Sequence, residues 1–195
     1  MRRLLGSVVV TALLVMPSLA AAQGAANAPM DPPSIYVAPS LGATFSGDTT
    51  STGTTFGVAG GWRTKGWLGV EGEVATTPNF FEQTGFLTNR WVTTVMGNGL
   101  IHYGSTRMSV FAIGGFGLMH VDLAEAGGLL AVNATKPAFN VGAGGMRLWT
   151  NNVGIRGDVR YVRATGNKDD DANGFGLEVS KLHYWRATAA LVVGF

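Results

Sequence analysis

The chain has 195 residues, with 14 Lys and Arg against 12 Asp and Glu, 29 Gly and no Cys. Without thiols it has no disulfides, thiolate metal sites or lipidated cysteine; its 13% charge, against about 25% in ordinary soluble domains, implies that much of the surface does not meet water. The basic excess sits in Arg2 and Arg3; without them 12 basic residues face 12 acidic ones, so nothing points to nucleic acid.

At the N-terminus, Met1-Arg-Arg3, the apolar run Leu4 to Leu19 and Ala20-Ala-Ala22 have the order of a secretory signal, expected to be cleaved after Ala22. The expected organisation is a signal at 1–22, a lead at 23–33 containing Pro29-Met-Asp-Pro-Pro33, and one domain at 34–195. No later stretch has the roughly 20 apolar residues of a spanning helix. Eight alternating segments are predicted instead, at Ser34–Phe45, Gly53–Arg63, Trp67–Ala75, Arg90–Tyr103, Met108–Leu123, Pro137–Trp149, Val153–Arg163 and Leu182–Phe195. Tight turns at Arg63–Gly66, Gly104–Arg107 and Thr150–Asn152 alternate with longer connections near 46–52, 76–89, 124–136 and 164–181. That alternation is the habit of a closed membrane barrel with both termini on the short-turn, periplasmic side.

Side chains along a strand alternate between faces, and here the faces differ in chemistry. Trp185, Ala187, Ala189, Leu191, Val193 and Phe195 share one face of the last segment, and Arg186 lies on the other. In segments three and seven, Glu71, Glu73, Arg156, Asp158 and Arg160 oppose Leu68, Val70, Val74, Ile155, Val159 and Tyr161. A lipid-facing Arg or Lys at mid-bilayer costs roughly 2–4 kcal/mol, so the charges are expected to point inward. Segments three and seven are four strands apart in a ring of eight and face each other across a narrow lumen. Glu71, Glu73, Arg156, Asp158, Arg160 and Arg186 are therefore expected to form an ion-pair network, read as a structural seal or, alternatively, a gate. A soluble lipocalin-like barrel would carry its charge outside.

Trp62, Trp67, Tyr103, Trp149 and Phe195 fall near the tight turns, and Phe45, Trp91, Tyr161 and Trp185 near the long connections, as two interfacial girdles require. Pro39 lies inside segment one, where a bulge or local break is expected. Segment six is read as slipping parity around Gly142-Ala-Gly-Gly145, with a bulge or an interfacial position to keep Arg147 out of hydrocarbon.

Asn98-Gly-Leu-Ile-His-Tyr103, Ala112-Ile-Gly-Gly-Phe-Gly117, Phe139-Asn-Val-Gly-Ala-Gly144, Gly157-Asp-Val-Arg-Tyr161 and the terminal Phe195 resemble the small eight-stranded outer-membrane barrels of Gram-negative bacteria, a group of OmpA-like, OmpX-like and opacity-type proteins. The resemblance implies an all-β, eight-stranded antiparallel up-and-down transmembrane β-barrel in the outer membrane, without enzymatic activity or cofactor. It also implies that Trp185, Leu191, Val193 and Phe195 carry the signal read by the barrel-assembly machinery. Outer-membrane lipid and lipopolysaccharide are the expected surroundings, with any extracellular ligand held by the loops. No peptidoglycan-binding domain is expected after the barrel.

Other motifs offer competing chemistry. Asp169, Asp171, Asn173 and Gly174 match the opening of a calcium loop, but Ser180 stands where its bidentate Glu belongs and no helices flank it. A solvated acidic loop, holding divalent ions loosely with Glu82 and Glu125 against lipopolysaccharide phosphates, is the expected reading. Ser180, Glu178 and His183 could be drawn as a hydrolytic triad at the rim, although a triad is defined by geometry. His102 and His183 are expected to be interfacial or lumen-lining, and His120 a lumen residue beside Asp122. The leading function is a non-enzymatic structural or surface-interaction role; a narrow porin-like channel and a lipid-directed rim enzyme are the alternatives.

Overall fold

A computed structural model describes residues 34–48, 52–64, 66–78, 80, 87–105, 107–125, 131–166 and 182–195. The expected signal at 1–22 and lead at 23–33 lie outside the described residues. Eight strands follow one another in the chain: β1 (Ile35–Gly47), β2 (Gly53–Arg63), β3 (Leu68–Thr77), β4 (Leu87–Gly104), β5 (Met108–Glu125), β6 (Ala131–Leu148), β7 (Val153–Ala164) and β8 (His183–Gly194). Each pairs antiparallel with its neighbours in sequence, and β1 with β8 closes the ring. At the seam the Phe195 amide donates to the Ile35 carbonyl at 2.8 Å.

The closed ring is staggered. Following paired residues from Tyr36 through Gly61, Glu71, Asn98, Gly115, Asn140, Val162 and Tyr184 leads back to β1 at Gly47, near its other end. Such an offset is the register shear that tilts the strands of a closed barrel. One end carries the tight turns and both ends of the barrel domain; the other carries the long connections.

Alternating burial on β3 and β7 separates the two faces. Leu68, Val70, Val74, Ile155 and Val159 are exposed, while Glu71, Glu73, Arg156, Asp158 and Arg160 are buried. A belt of bare Leu, Val, Ile and Trp around a charged interior reverses the order of a soluble protein and suits hydrocarbon.

Of the two irregularities expected at Pro39, the local break is the one found: the register with β8 is unchanged, and the β8 partners of Ala38 and Pro39 are missing from the ladder. The bulge of β1 is at Ser46, between Phe45 and Gly47, where Ser46 (φ 56) and Gly47 (φ 88) take left-handed conformations. Two local expectations need correcting. Segment six does not slip. Asn140, Met146 and Leu148 are buried while Val141, Arg147 and Trp149 are exposed, in unbroken register with β5 and β7. Finally, β6 begins at Ala131, which pairs with Ala124, so most of the long connection expected at 124–136 is strand. The physical reason lies at Pro137. Its carbonyl accepts from the Thr165 amide at 2.7 Å, so its missing N–H faces the side where β7 has ended and costs β5 no ladder bond.

Inward glycines make room for large side chains. A Cβ on Gly61 would lie 2.3 Å from the Tyr36 ring, and one on Gly144 would lie 2.5 Å from Phe111 and 2.6 Å from Asp158.

Candidate functional site in the barrel lumen

The middle of the lumen holds three guanidiniums and three carboxylates, supplied by β3, β7 and β8. Arg156 pairs with Glu71 across the barrel, and its Nε donates to Asp158 Oδ2 at 3.1 Å. Arg160 sits at the centre. Its Nε donates to Asp158 Oδ1 at 2.7 Å, its Nη2 to Glu71 Oε1 at 3.3 Å, and its Nη1 lies 2.7 Å from Glu73 Oε2 as an ion contact without hydrogen-bond alignment. Arg186 pairs with Glu73 and reaches Thr94 Oγ1 at 3.4 Å. The six expected side chains thus meet in one layer, nearly all of it out of reach of solvent.

Equal numbers of opposite charges matter here, because a buried ion carries a desolvation penalty that only well-placed partners offset. Further groups complete the layer. The Tyr36 hydroxyl donates to Glu71 Oε2 at 2.7 Å, Asn98 Nδ2 to Glu71 Oε1 at 3.5 Å, and Asn140 Nδ2 to Asn98 Oδ1 at 2.8 Å. The Arg156 guanidinium stands 4.5 Å from the Phe111 ring centroid, within the range of a cation–π contact. Sequence reasoning had not included Tyr36, Asn98, Asn140 or Phe111. Each has inward parity, and that was the available signal.

Apolar layers lie on both sides of the charges. Toward the tight turns, Tyr36, Ala38, Ala59, Leu100, Phe111, Ile113, Met146, Leu148 and Val192 form one buried cluster. Toward the long connections, Phe80, Val92, Met96, Met119, Val121, Ala138, Val162, Ala164, Leu182 and Tyr184 form another. Phe80 is fully buried and meets Tyr184 edge-on, centroids 4.9 Å apart. Among the described residues the interior thus runs from an apolar layer through a charged one to a second apolar layer.

The remaining candidates are scattered. Trp185, Leu191 and Phe195 are exposed on the outer wall, and Val193 shares their parity. Trp62, Trp67, Tyr103 and Trp149 are exposed near the turn end, and Phe45 and Trp91 nearer the loop end. Tyr161 contacts Trp185, Phe139 and His183 at 5.5, 6.4 and 6.0 Å between centroids, forming a continuous aromatic row at that end. His102 is buried in the lumen, its ring 5.6 Å from Phe111. His120 corrects an expectation: it points outward with Asp122, opposite in parity to buried Met119 and Val121, and its Nδ1 is 2.8 Å from Thr135 Oγ1. His183 Nδ1 lies 2.9 Å from Asp48 Oδ2. Ser180, Glu178 and Asp169, Asp171 and Asn173 lie outside the described residues, as do Glu82 and the side chain of Glu125.

Known proteins share this architecture. Neisserial surface protein A is similar with a TM-score of 0.64 at 16% identity, covering 83% of this chain and 97% of that one. The N-terminal β-barrel domain of Pseudomonas aeruginosa OprF gives 0.54 at 13% identity, over 84% and 98% of the two chains. Ail, the attachment invasion locus protein of Yersinia pestis, gives 0.51 at 17%, over 84% and 99%. No curated protein sequence matches. Residues 11–180 match the outer membrane protein beta-barrel domain, and with the closed ring and its inverted polarity this chain belongs to that family of bacterial outer-membrane barrels.

Proposed function

We propose that this protein is a sealed barrel with a non-enzymatic structural or surface-presenting role. The observation that carries this reading is the three-layer filling of the lumen, in which Glu71, Glu73, Arg156, Asp158, Arg160 and Arg186 act as a fixed structural core between two apolar layers. An opened path would need the ion pairs broken and both clusters displaced together. The channel reading has no comparable support.

The tight-turn end faces the periplasm and the long connections face outward, after export directed by residues 1–22. Lipopolysaccharide surrounds the outer rim, and Trp185, Leu191, Val193 and Phe195 present the outward edge that the assembly machinery reads. A ligand, where there is one, is taken by the outer connections. Ail, with the same fold, has been crystallised in complex with the heparin analogue sucrose octasulfate.

Two measurements test the reading. In planar bilayers the folded protein should give no steady unit conductance, and a reproducible one would overturn the seal. Because the chain lacks Cys, single cysteines report orientation cleanly. An impermeant maleimide should label Thr165→Cys on intact cells, and Ser105→Cys only after the outer membrane is opened. The reverse pattern would invert the assignment.

A further inference from the structure

The lipid-facing wall carries a guanidinium that the lumen network leaves out. Arg147 lies on the outward face of β6, one residue before the strand ends at Leu148, and Trp149 of the aromatic girdle follows it. Among the described residues it has no carboxylate partner. Its ladder neighbours are Met108 on β5 and Ile155 on β7, and beyond Ile155 stands Leu191 on β8. A long side chain so placed can snorkel to the membrane interface, where lipid phosphates are the anions within its reach.

Next to it, one pleat closer to the membrane centre, the wall is hollow. The row Val110, Gly145, Gly157 and Ala189 runs across β5 to β8, so two adjacent positions have no side chain and the next has a single methyl. Together with Ile155 and Leu191 these residues line a trough of about 560 Å³ whose edge carries Arg147. Adding a Cβ at Gly145 or Gly157 meets only backbone oxygens at ordinary contact distance, 3.7 and 3.6 Å, so these glycines are not needed for packing inside the barrel.

We propose that this trough holds one anionic glycerophospholipid of the turn-side leaflet, its phosphate on Arg147 and one acyl chain against Gly145, Gly157 and Ala189. The guanidinium fork matches phosphate oxygens two at a time. The apolar trough lies on the hydrocarbon side of that contact, where a chain descending from the headgroup must pass. The inference needs only that the barrel spans a bilayer, which its family membership supplies.

The test uses the folded barrel taken from vesicles of phosphatidylcholine containing phosphatidylglycerol and, in a competing set, lipid A in equal amount, with retained lipid counted by native mass spectrometry in mild detergent. One phosphatidylglycerol should stay bound, and Arg147→Gln should lower its occupancy about tenfold, as loss of a charge-assisted hydrogen bond predicts. Gly157→Leu, which fills the trough and leaves the guanidinium in place, should lower it several-fold as well. Both variants should keep the heat-dependent gel shift of a folded barrel, because neither touches the lumen. Retention unchanged in either variant would overturn the site. So would displacement of the lipid by glycerol 3-phosphate alone, which would leave no role for the trough, or preferential retention of lipid A over phosphatidylglycerol.

Discussion

Toward the tight turns, every member of the apolar layer is a strand residue, from Tyr36 on β1 to Val192 on β8. Toward the long connections, Phe80 and Leu182 come from outside the strands and close over Val92, Met119, Val121 and Tyr184. The turn-end seal is therefore fixed by the same hydrogen-bonded ladder that makes the barrel. The loop-end seal also draws on residues beyond that ladder. The difference teaches that one end of the lumen can be remodelled without touching the wall, while the other cannot, and the charged layer between them bears on both.

The largest disturbance should come from that shared layer. Arg160→Met leaves Glu71, Glu73 and Asp158 with only two guanidiniums, and an uncompensated buried charge costs about 3–5 kcal/mol. The urea midpoint of unfolding in lipid vesicles should fall accordingly, and both seals should loosen together. Next comes Phe80→Ala, which removes a fully buried ring at a cost of about 3 kcal/mol. Hydrogen exchange should then quicken at Val92 and Val121 while Leu100 and Ile113 stay protected; equal quickening at both ends would erase the distinction between the seals. Gly61→Ala works from the tight-turn side. Its new methyl would meet the Tyr36 ring at 2.3 Å, and such overpacking costs about 1–3 kcal/mol, read as lower thermal stability with exchange raised first around Tyr36 and Leu100. The smallest effect belongs to the outer wall. Val95→Ala, at a position half exposed to lipid, should change stability by less than about 0.5 kcal/mol and leave both ends as they were.

Much of the architecture was legible because two simple physical rules acted on it together. Period-2 alternation assigned Glu71, Glu73, Arg156, Asp158, Arg160 and Arg186 to one face, and the cost of charge in hydrocarbon turned that face inward. Three strand starts, at Leu68, Met108 and Val153, lie within one residue of where the three tight turns placed them. The rest needed three dimensions. Tyr36 reaches Glu71 because Gly61 leaves space for its ring, a relation between strands that no single strand records. Pro137 looked like a boundary because the direction of its absent N–H depends on which neighbour is still paired. Asp122 beside His120 suggested a polar lumen, yet β5 is 18 residues long, well beyond the 9–11 that span a bilayer, so that outward polar pair has room to stand clear of hydrocarbon. For Arg147 the second of the two expected resolutions holds: without a bulge, it lies one residue from the end of β6.

The seam between β1 and β8 sets a limit on how this molecule comes into being. Ile35 must wait for Phe195, so until these two residues meet the two flanking edges stay open, with backbone donors and acceptors that lipid cannot satisfy. Joining ends so far apart in sequence makes for slow folding. A partly built cylinder is therefore no resting place in lipid, and the wall gains its full set of hydrogen bonds only when it closes.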